Sequence, residues 1–520
     1  MGAVPAGKGV RLAELLAALS LGSDLGMGLP MEHVLRQCLI SMRLASRLGL
    51  ASDDRAVVYY TALLAWVGCH VDAYEQAKWF GDDLAIKADF RDVDFAGPLA
   101  AGRFMLGHFG AGLPPGDRAK LGFELLRNGW PRRRAALERH CYAADELAGR
   151  LGLSERVRRS VVQTFERWDG KGAPAGAKGD EILITARIVN LADVVEVFHR
   201  AGGLQAAISV ARARSGTQFD PALVDVFGSA AGDVFAELDA ATTWGAVIAE
   251  ESGLTPWLSG AEFDAALEAI ADFVDVKSPY TIGHSRGVAE LAAAAARGYG
   301  LPAEETTLIR RAGLVHDLGR LGVSNAIWDK PGQLTAAEFE RVRLHPYLSE
   351  RILALSDELA PLGALASEHH ERLDGSGYPR GLAGTAINLA SRILAVADAY
   401  RTRVEARPHR PACPTTEVAV QLRAEARAGR LDGGAVEAVL CAAGQHVARH
   451  PQLPAGLTPR EVEVLKLVAL GLKYSEIAER LVISRKTARN HVEHIYAKIG
   501  VSNRALAGLF AARHGLIDDS

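Results

Sequence analysis

The chain has 520 residues, of which 49% are apolar and 23% charged, and its formal net charge is −3. That length suggests about three or four domains at roughly 150 residues each, and the near-neutral balance gives no global sign of a nucleic-acid partner. The five cysteines, Cys38, Cys69, Cys141, Cys413 and Cys441, are scattered and never form C-x-x-C, which excludes a disulfide frame or a thiolate zinc site and suits reduced thiols in a cytoplasmic protein.

The first 20 residues, "MGAVPAGKGVRLAELLAALS", hold a short apolar run without a cleavage signature, and position 6 lacks the Ser or Thr of a myristoylation signal. No run of about 18 apolar residues follows, so no membrane span or membrane partner is expected. Further along, "EILITARIVNLADVVEVF" (181–198) is rich in β-branched residues and ambiguous by itself. "AEFDAALEAIADFVDV" and "GVAELAAAAARGYGL" are Ala- and Leu-rich with charges on one side, which is helical spacing. The expected fold class is all-α.

The chain repeats itself. "ERWDGKGAP" (166–174) returns as "ERLDGSGYP" (371–379), an offset of 205, and the same offset sets His140 on His345 and Asp193 on Asp398. It also sets "ARIVNLADVVEV" on "SRILAVADAYRT", which settles the ambiguous segment as helix. Nearer the N-terminus the offset is 251, setting His33 on His284 and Ala65 on His316, so about 46 extra residues enter the first copy between roughly 70 and 135. Two tandem helical domains are expected, at 30–250 and 260–445, after an N-terminal segment 1–29.

The second copy carries an ordered set: His284, "HD" at 316–317, "HP" at 345–346, "HHE" at 369–371, "DGSGYP" at 374–379, then Asp398. A lone His-Asp pair means little. Five histidines and two aspartates in apolar helical settings need a shared partner, because burying them unsatisfied is costly. Nitrogen and oxygen donors without sulfur suit iron, manganese or zinc. Seven donors exceed one closed tetrahedral site and suit two divalent metal ions sharing a carboxylate.

"GLVHDLGR", "RLHPYLSE", "HHERLDGSGYP" and "ILAVADAY" resemble the HD-GYP family of metal-dependent phosphohydrolases over about residues 262–445. The resemblance implies hydrolysis of cyclic di-GMP to pGpG or GMP, with His284, His316, Asp317, His345, His369, His370 and Asp398 as metal ligands and Asp317 as the bridge. Tyr280 stands where three-metal members carry Glu, so two ions are expected. Asp317 and Arg320 are the expected catalytic residues. Arg320 replaces the family's Lys; it can clamp a phosphate but cannot readily give up a proton. Tyr378 is a candidate for the guanine. Arg407 and Arg410 are candidate substrate contacts in "EARPHRP", where His409 replaces the family's Tyr.

In the first copy the seven ligand positions read His33, Ala65, Trp66, His140, Thr164, Phe165 and Asp193. Trp66 and Phe165 would fill the cavity with hydrocarbon. This copy is expected to hold no binuclear metal, with His33, His140 and Asp193 as satisfied core polar residues.

After a Pro/Gly-containing linker (446–456), the last stretch, 457–520, is basic: up to Ile517 it has ten Lys and Arg against five Glu. Thr458, Pro459 and Glu461 form a capping-box start, Gly471 a stop, and Ser484 a cap for "RKTARNHVEHIYAKIG". Two helices with a tight turn follow helix-turn-helix logic. The stretch resembles the LuxR/NarL-type DNA-binding domain, which implies double-stranded DNA as partner and a homodimer. Arg485, Lys486, Thr487, Arg489, Asn490 and His491 are the candidate DNA contacts, and Lys473 and Lys498 candidate backbone contacts. The expected whole is a cyclic di-GMP phosphodiesterase coupled to a DNA-binding transcriptional regulator. The alternative is a weakly active metal- and nucleotide-binding sensor, for which Arg320 and Arg401 (where the family often has Asp) leave room.

Overall fold

The computed structural model describes residues 9–90, 102–104, 107–110, 115–238, 243–251, 257–445, 454–481, 483–514 and 516. The chain divides into two compact units, Met1–Gln445 and His446–Ser520. Among the described residues the strands are Val10–Arg11 and Trp257–Leu258, which pair antiparallel; the rest of the regular structure is helical. The ambiguous segment lies in the helix Ile184–Ala213, which breaks at Gly202 and Gly203. No single described helix is long and apolar enough to cross a membrane. Most of the proposed linker, 446–453, and part of the expected insertion, 91–101, lie outside the described residues.

The duplication is visible in the backbone. His33–Arg47 corresponds to His284–Tyr299, Ser52–Leu64 to Ala303–Val315, and the 3-10 turn Val67–His70 to Leu318–Gly322. Past the insertion, the turns Gly179–Glu181 and Gly384–Ala386 match at the offset of 205, as do the helix starts at Ile184 and Leu389. Gly283 precedes its helix at φ 76°, and its counterpart Glu32 holds φ 75° without glycine's freedom. The Glu32 carboxylate accepts a hydrogen bond of 3.0 Å from Thr243 Oγ1. Gly319 must also be glycine, because a Cβ there would lie 2.1 Å from the His345 carbonyl oxygen; Gly68 meets His140 in the same way at 2.2 Å. That close approach brings the turn after the HD pair against the helix His345–Leu353.

The larger unit has a core shared by the two repeats. Leu15, Leu63 and Phe227 of the first half belong to the same buried cluster as Leu314, Leu318, Leu321 and Ile352 of the second. Each such leucine contributes about 1.5–3 kcal/mol by leaving water, so the repeats stabilise each other. A polar network reinforces the contact. Asp83 accepts from Ser324 Oγ at 2.7 Å and the Asn325 amide at 2.8 Å, while Lys87 Nζ lies 3.4 Å away. A second cluster, with Val288, Ile393, Val418 and Val439, closes the far side of the second repeat.

The small unit packs Val464, Leu465, Ile477, Val492 and Ile495 into its own core. Thr458 and Glu461 form the expected capping box on Pro459–Ala469. Ser484 caps Arg485–Ile499, which ends on Gly500 in the left-handed region.

Candidate metal centre

All seven predicted ligands come together in the second repeat. Three trios of donor atoms each lie within 4.8 Å: His284, His316 and Asp398; His345, His369 and His370; and His316, Asp317 and His369. Asp317 stands between the first two. Its Oδ2 lies 3.6 Å from His316 Nε2 and 3.9 Å from His284 Nε2, and its Oδ1 lies 3.4 Å from His345 Nε2 and 3.9 Å from His369 Nε2. Asp398 lies 3.3 Å from His284 Nε2 by one oxygen and 3.7 Å from His370 Nδ1 by the other. His284, His316, His345, His369, Asp317 and Asp398 are all buried.

Local backbone geometry fixes how the rings present themselves. His316, His345 and His369 each aim Nδ1 at the carbonyl three residues back, Gly313, Val342 and Ala366, at 2.8, 2.6 and 2.6 Å. A nitrogen facing a carbonyl must donate, so in the neutral ring Nε2 carries the lone pair. His345 Nε2 and His369 Nε2 face each other at 3.2 Å, and His316 Nε2 is buried with no hydrogen-bond partner. Facing lone pairs repel, and an orphaned buried acceptor is costly; a cation relieves both. The donor set therefore fits divalent metal.

Burial lowers the imidazole pKa of His345 to about 4 and of His369 to about 3, and holds His370 well below its ordinary value. At neutral pH these rings are uncharged donors. Burial also works against a proton on His284, yet Asp398 and Glu405 outweigh it and raise this ring to about 9. For Asp317 burial pushes upward, but His316 and Arg320 hold the carboxyl well below the usual range.

Around this cluster, Arg320 Nη1 pairs with Asp317 Oδ2 at 3.0 Å, and its guanidinium lies 3.9 Å from the Trp328 ring centroid. Tyr378 stacks obliquely on His370 with centroids 4.7 Å apart. Arg407 donates to the Tyr280 carbonyl at 2.7 Å and pairs with Glu405 at 3.0 Å. Arg410 directs its guanidinium to the backbone carbonyls of Thr402, Arg403, Glu405 and Pro411, an arrangement that organises its own loop.

The sequence reading passed over three residues. Glu405 accepts from His284 Nδ1 at 2.8 Å; it is the extended residue just past the helix Leu389–Val404 that carries Asp398. Ser349 Oγ accepts from the Gly319 amide and donates to the His316 carbonyl, at 2.8 and 2.9 Å. Buried Lys277 donates to the carbonyls of Arg320, Leu321 and Val323.

In the first repeat the same framework holds different chemistry. Trp66 and Phe165 meet edge to face at 5.2 Å, and Trp66 Nε1 donates to Gln37 at 3.1 Å. His33 lies between Asp193, at 2.9 Å from Nε2, and Glu196 on Nδ1. His140 pairs with Asp72 at 3.1 Å. Among the described residues, every trio of converging donors belongs to the second repeat.

The small unit presents a second candidate site. On Arg485–Ile499, Ala488, Val492 and Ile495 face the core, leaving Arg485, Lys486, Thr487, Arg489 and Asn490 exposed and His491 half-buried. Arg489 pairs with Glu493 at 2.8 Å, and Lys498 is paired with Glu461 at 2.7 Å.

Comparison with known proteins finds two families in the chain. The HD domain family matches residues 128–223 and 268–434, and the family "Bacterial regulatory proteins, luxR family" matches 455–511. A 3'3'-cGAMP-specific phosphodiesterase 3 of Vibrio cholerae is 33% identical over 411 residues, 78% of this chain and 88% of the relative. The 3'3'-cGAMP-specific phosphodiesterase 1 of the same organism is 40% identical over 171 residues, 33% of this chain and 40% of the relative. The cyclic di-GMP phosphodiesterase response regulator RpfG of Xanthomonas campestris is 36% identical over 177 residues, 34% of this chain and 46% of the relative. A crystal structure of a cyclic GMP-AMP-specific phosphodiesterase of V. cholerae superposes with a TM-score of 0.58 at 27% identity, covering 84% of this chain and 99% of that one. The chain thus belongs to the HD-domain family, in its HD-GYP branch of metal-dependent phosphohydrolases, and carries a LuxR-type helix-turn-helix domain at its C-terminal end.

Proposed function

We propose that the second repeat hydrolyses a phosphodiester of a guanine-containing 3',3'-cyclic dinucleotide with two divalent ions (iron, manganese or zinc), and that the helix-turn-helix domain binds double-stranded DNA as a homodimer. The observation that carries this reading is the division of seven donors into two trios with Asp317 between them. The relatives favour the substrate class: 3'3'-cGAMP is named for the one matched along most of the chain, cyclic di-GMP for a shorter match.

His284, His316 and Asp398 would hold one ion, His345, His369 and His370 the other, with one Asp317 oxygen for each. Two such ions supply Lewis acidity to water and to the phosphoryl oxygens. The chain's own residues set the geometry. Glu405 and the three carbonyl contacts fix the ring orientations. Arg320 offers a charged fork to a phosphate oxygen, while the Trp328 face keeps it in place. His284 would offer Nε2, on its Asp398 side, to an ion while its Nδ1–H stays on Glu405.

The alternative reading, a sensor with little turnover, has one observation in its favour: Arg320 is held against Asp317 at 3.0 Å. In either case nucleotide or metal state would set DNA affinity. The test is metal content by mass spectrometry, together with turnover of 3'3'-cGAMP and cyclic di-GMP in manganese or iron. Wild type should bind about two ions and His316→Ala fewer. Turnover no higher than that of His316→Ala would remove the enzyme reading, and absence of bound metal would remove both.

A further inference from the structure

Beyond the donor cluster, an aromatic path leads to the surface. Tyr378 touches His370 on one side, and on the other it meets Phe339 edge to face with centroids 6.0 Å apart. Phe339 lies on the helix Ala336–Arg343 and is 44% exposed, although a ring of that size normally gains by burial. One turn on, Arg343 places its guanidinium carbon 5.6 Å from the Tyr378 ring centroid. Its other partner is the exposed Glu340, a surface pair that is cheap to give up.

The first repeat lacks this arrangement together with the donors. At the offset of 205, which holds past about residue 135, Arg343 and Tyr378 correspond to Glu138 and Ala173. The first copy is helical at Glu138 too, within Pro115–Arg150, but it carries neither the tyrosine nor the arginine.

We propose that Phe339 and Arg343 form, with Tyr378, a base-recognition platform that takes the guanine flanking the scissile phosphate and thereby sets the base preference. This rests on the phosphodiesterase reading above. Phe339 supplies an exposed stacking face, which every base accepts. Arg343 supplies discrimination, because its fork matches guanine O6 and N7, whereas adenine presents an amino donor there. The platform begins at Tyr378, against metal-donor His370, so a base on it is adjacent to a phosphate held by the donors.

The experiment compares kcat/KM for cyclic di-GMP, cyclic di-AMP and the base-free diester bis(p-nitrophenyl) phosphate in full-length wild type, Phe339→Ala, Phe339→Trp and Arg343→Met. In Phe339→Ala the ratio of cyclic di-GMP to bis(p-nitrophenyl) phosphate activity should fall about tenfold, carried by KM, with Phe339→Trp restoring it. In Arg343→Met the preference for cyclic di-GMP over cyclic di-AMP should drop by about tenfold or more. An unchanged ratio, or equal loss on all three diesters, overturns the platform. If wild type cleaves no diester, the catalytic reading fails separately, and equilibrium binding of radiolabelled cyclic di-GMP decides the platform. Weaker binding in Phe339→Ala supports it; equal binding, or none in wild type, overturns it.

Discussion

Replacement of Asp83 by alanine should destabilise the larger unit although Asp83 lies in the first repeat and the donor cluster in the second. The side chain is fully buried and accepts from Ser324 Oγ and the Asn325 amide, with Lys87 at 3.4 Å. Removing one member of a buried ion pair costs about 3–5 kcal/mol, because the partner stays buried without its counter-charge. One effect trims that figure. Lys277 also faces Asp83 and burial lowers its pKa to about 8, so without the carboxylate it sheds its proton more readily. The expected loss is therefore about 3 kcal/mol, and Asp83→Asn, which keeps an acceptor for Ser324 and Asn325, should lose about half as much. Denaturant unfolding of the full chain, following the transition of the larger unit, measures both. For Asp83 burial pushes the carboxyl upward, but Lys277, Lys87, Ser324 and Asn325 together hold it below its ordinary range. Its contribution is thus complete above the unfolded value of about 3.9 and fades as pH falls through the lower folded value, so wild type and Asp83→Ala should converge in acid. A loss under about 1 kcal/mol, or Asn as harmful as Ala, would refute the reasoning.

Glu405→Ala should weaken metal binding about 10–100-fold, read by competition with a chelating dye, and Glu405→Gln should recover part of it because the amide oxygen still accepts from His284. Lys277 gives an alkaline signature: its folded pKa is about 8 against an ordinary 10.5, so between these values the unfolded chain binds more protons and stability rises with pH. Lys277→Met should remove that rise in thermal melts taken across the window. Lys486→Ala should weaken DNA binding and lower the slope of log affinity against log salt by about one, measured by gel shift at several salt concentrations, if it neutralises a phosphate.

Much of the centre was legible because its donors are chemically conspicuous and occur in fixed order. The repeat offsets also singled out Ala65, Trp66, Thr164 and Phe165 as the positions where the first copy lacks a donor, and Trp66 and Phe165 do meet ring to ring. Helix caps at Thr458 and Ser484 were legible for a related reason: capping depends on residues three apart. Glu405 was harder to see, since a carboxylate in a charged loop looks solvated until the fold turns it onto His284. Arg410 shows the reverse: its charge suggested a ligand contact, while the fold turns its guanidinium onto the backbone carbonyls of its own loop. The sequence alone therefore determined helical periodicity, duplication and which copy retained the donors, because these depend on residue identity and local spacing. Only the tertiary structure decided that the two copies share one core through Leu63 and Leu318, that Asp83 reaches Ser324 across 241 positions, and that Nε2 atoms of separate helices converge. Such contacts depend on shape and depth between distant segments, which local spacing does not encode.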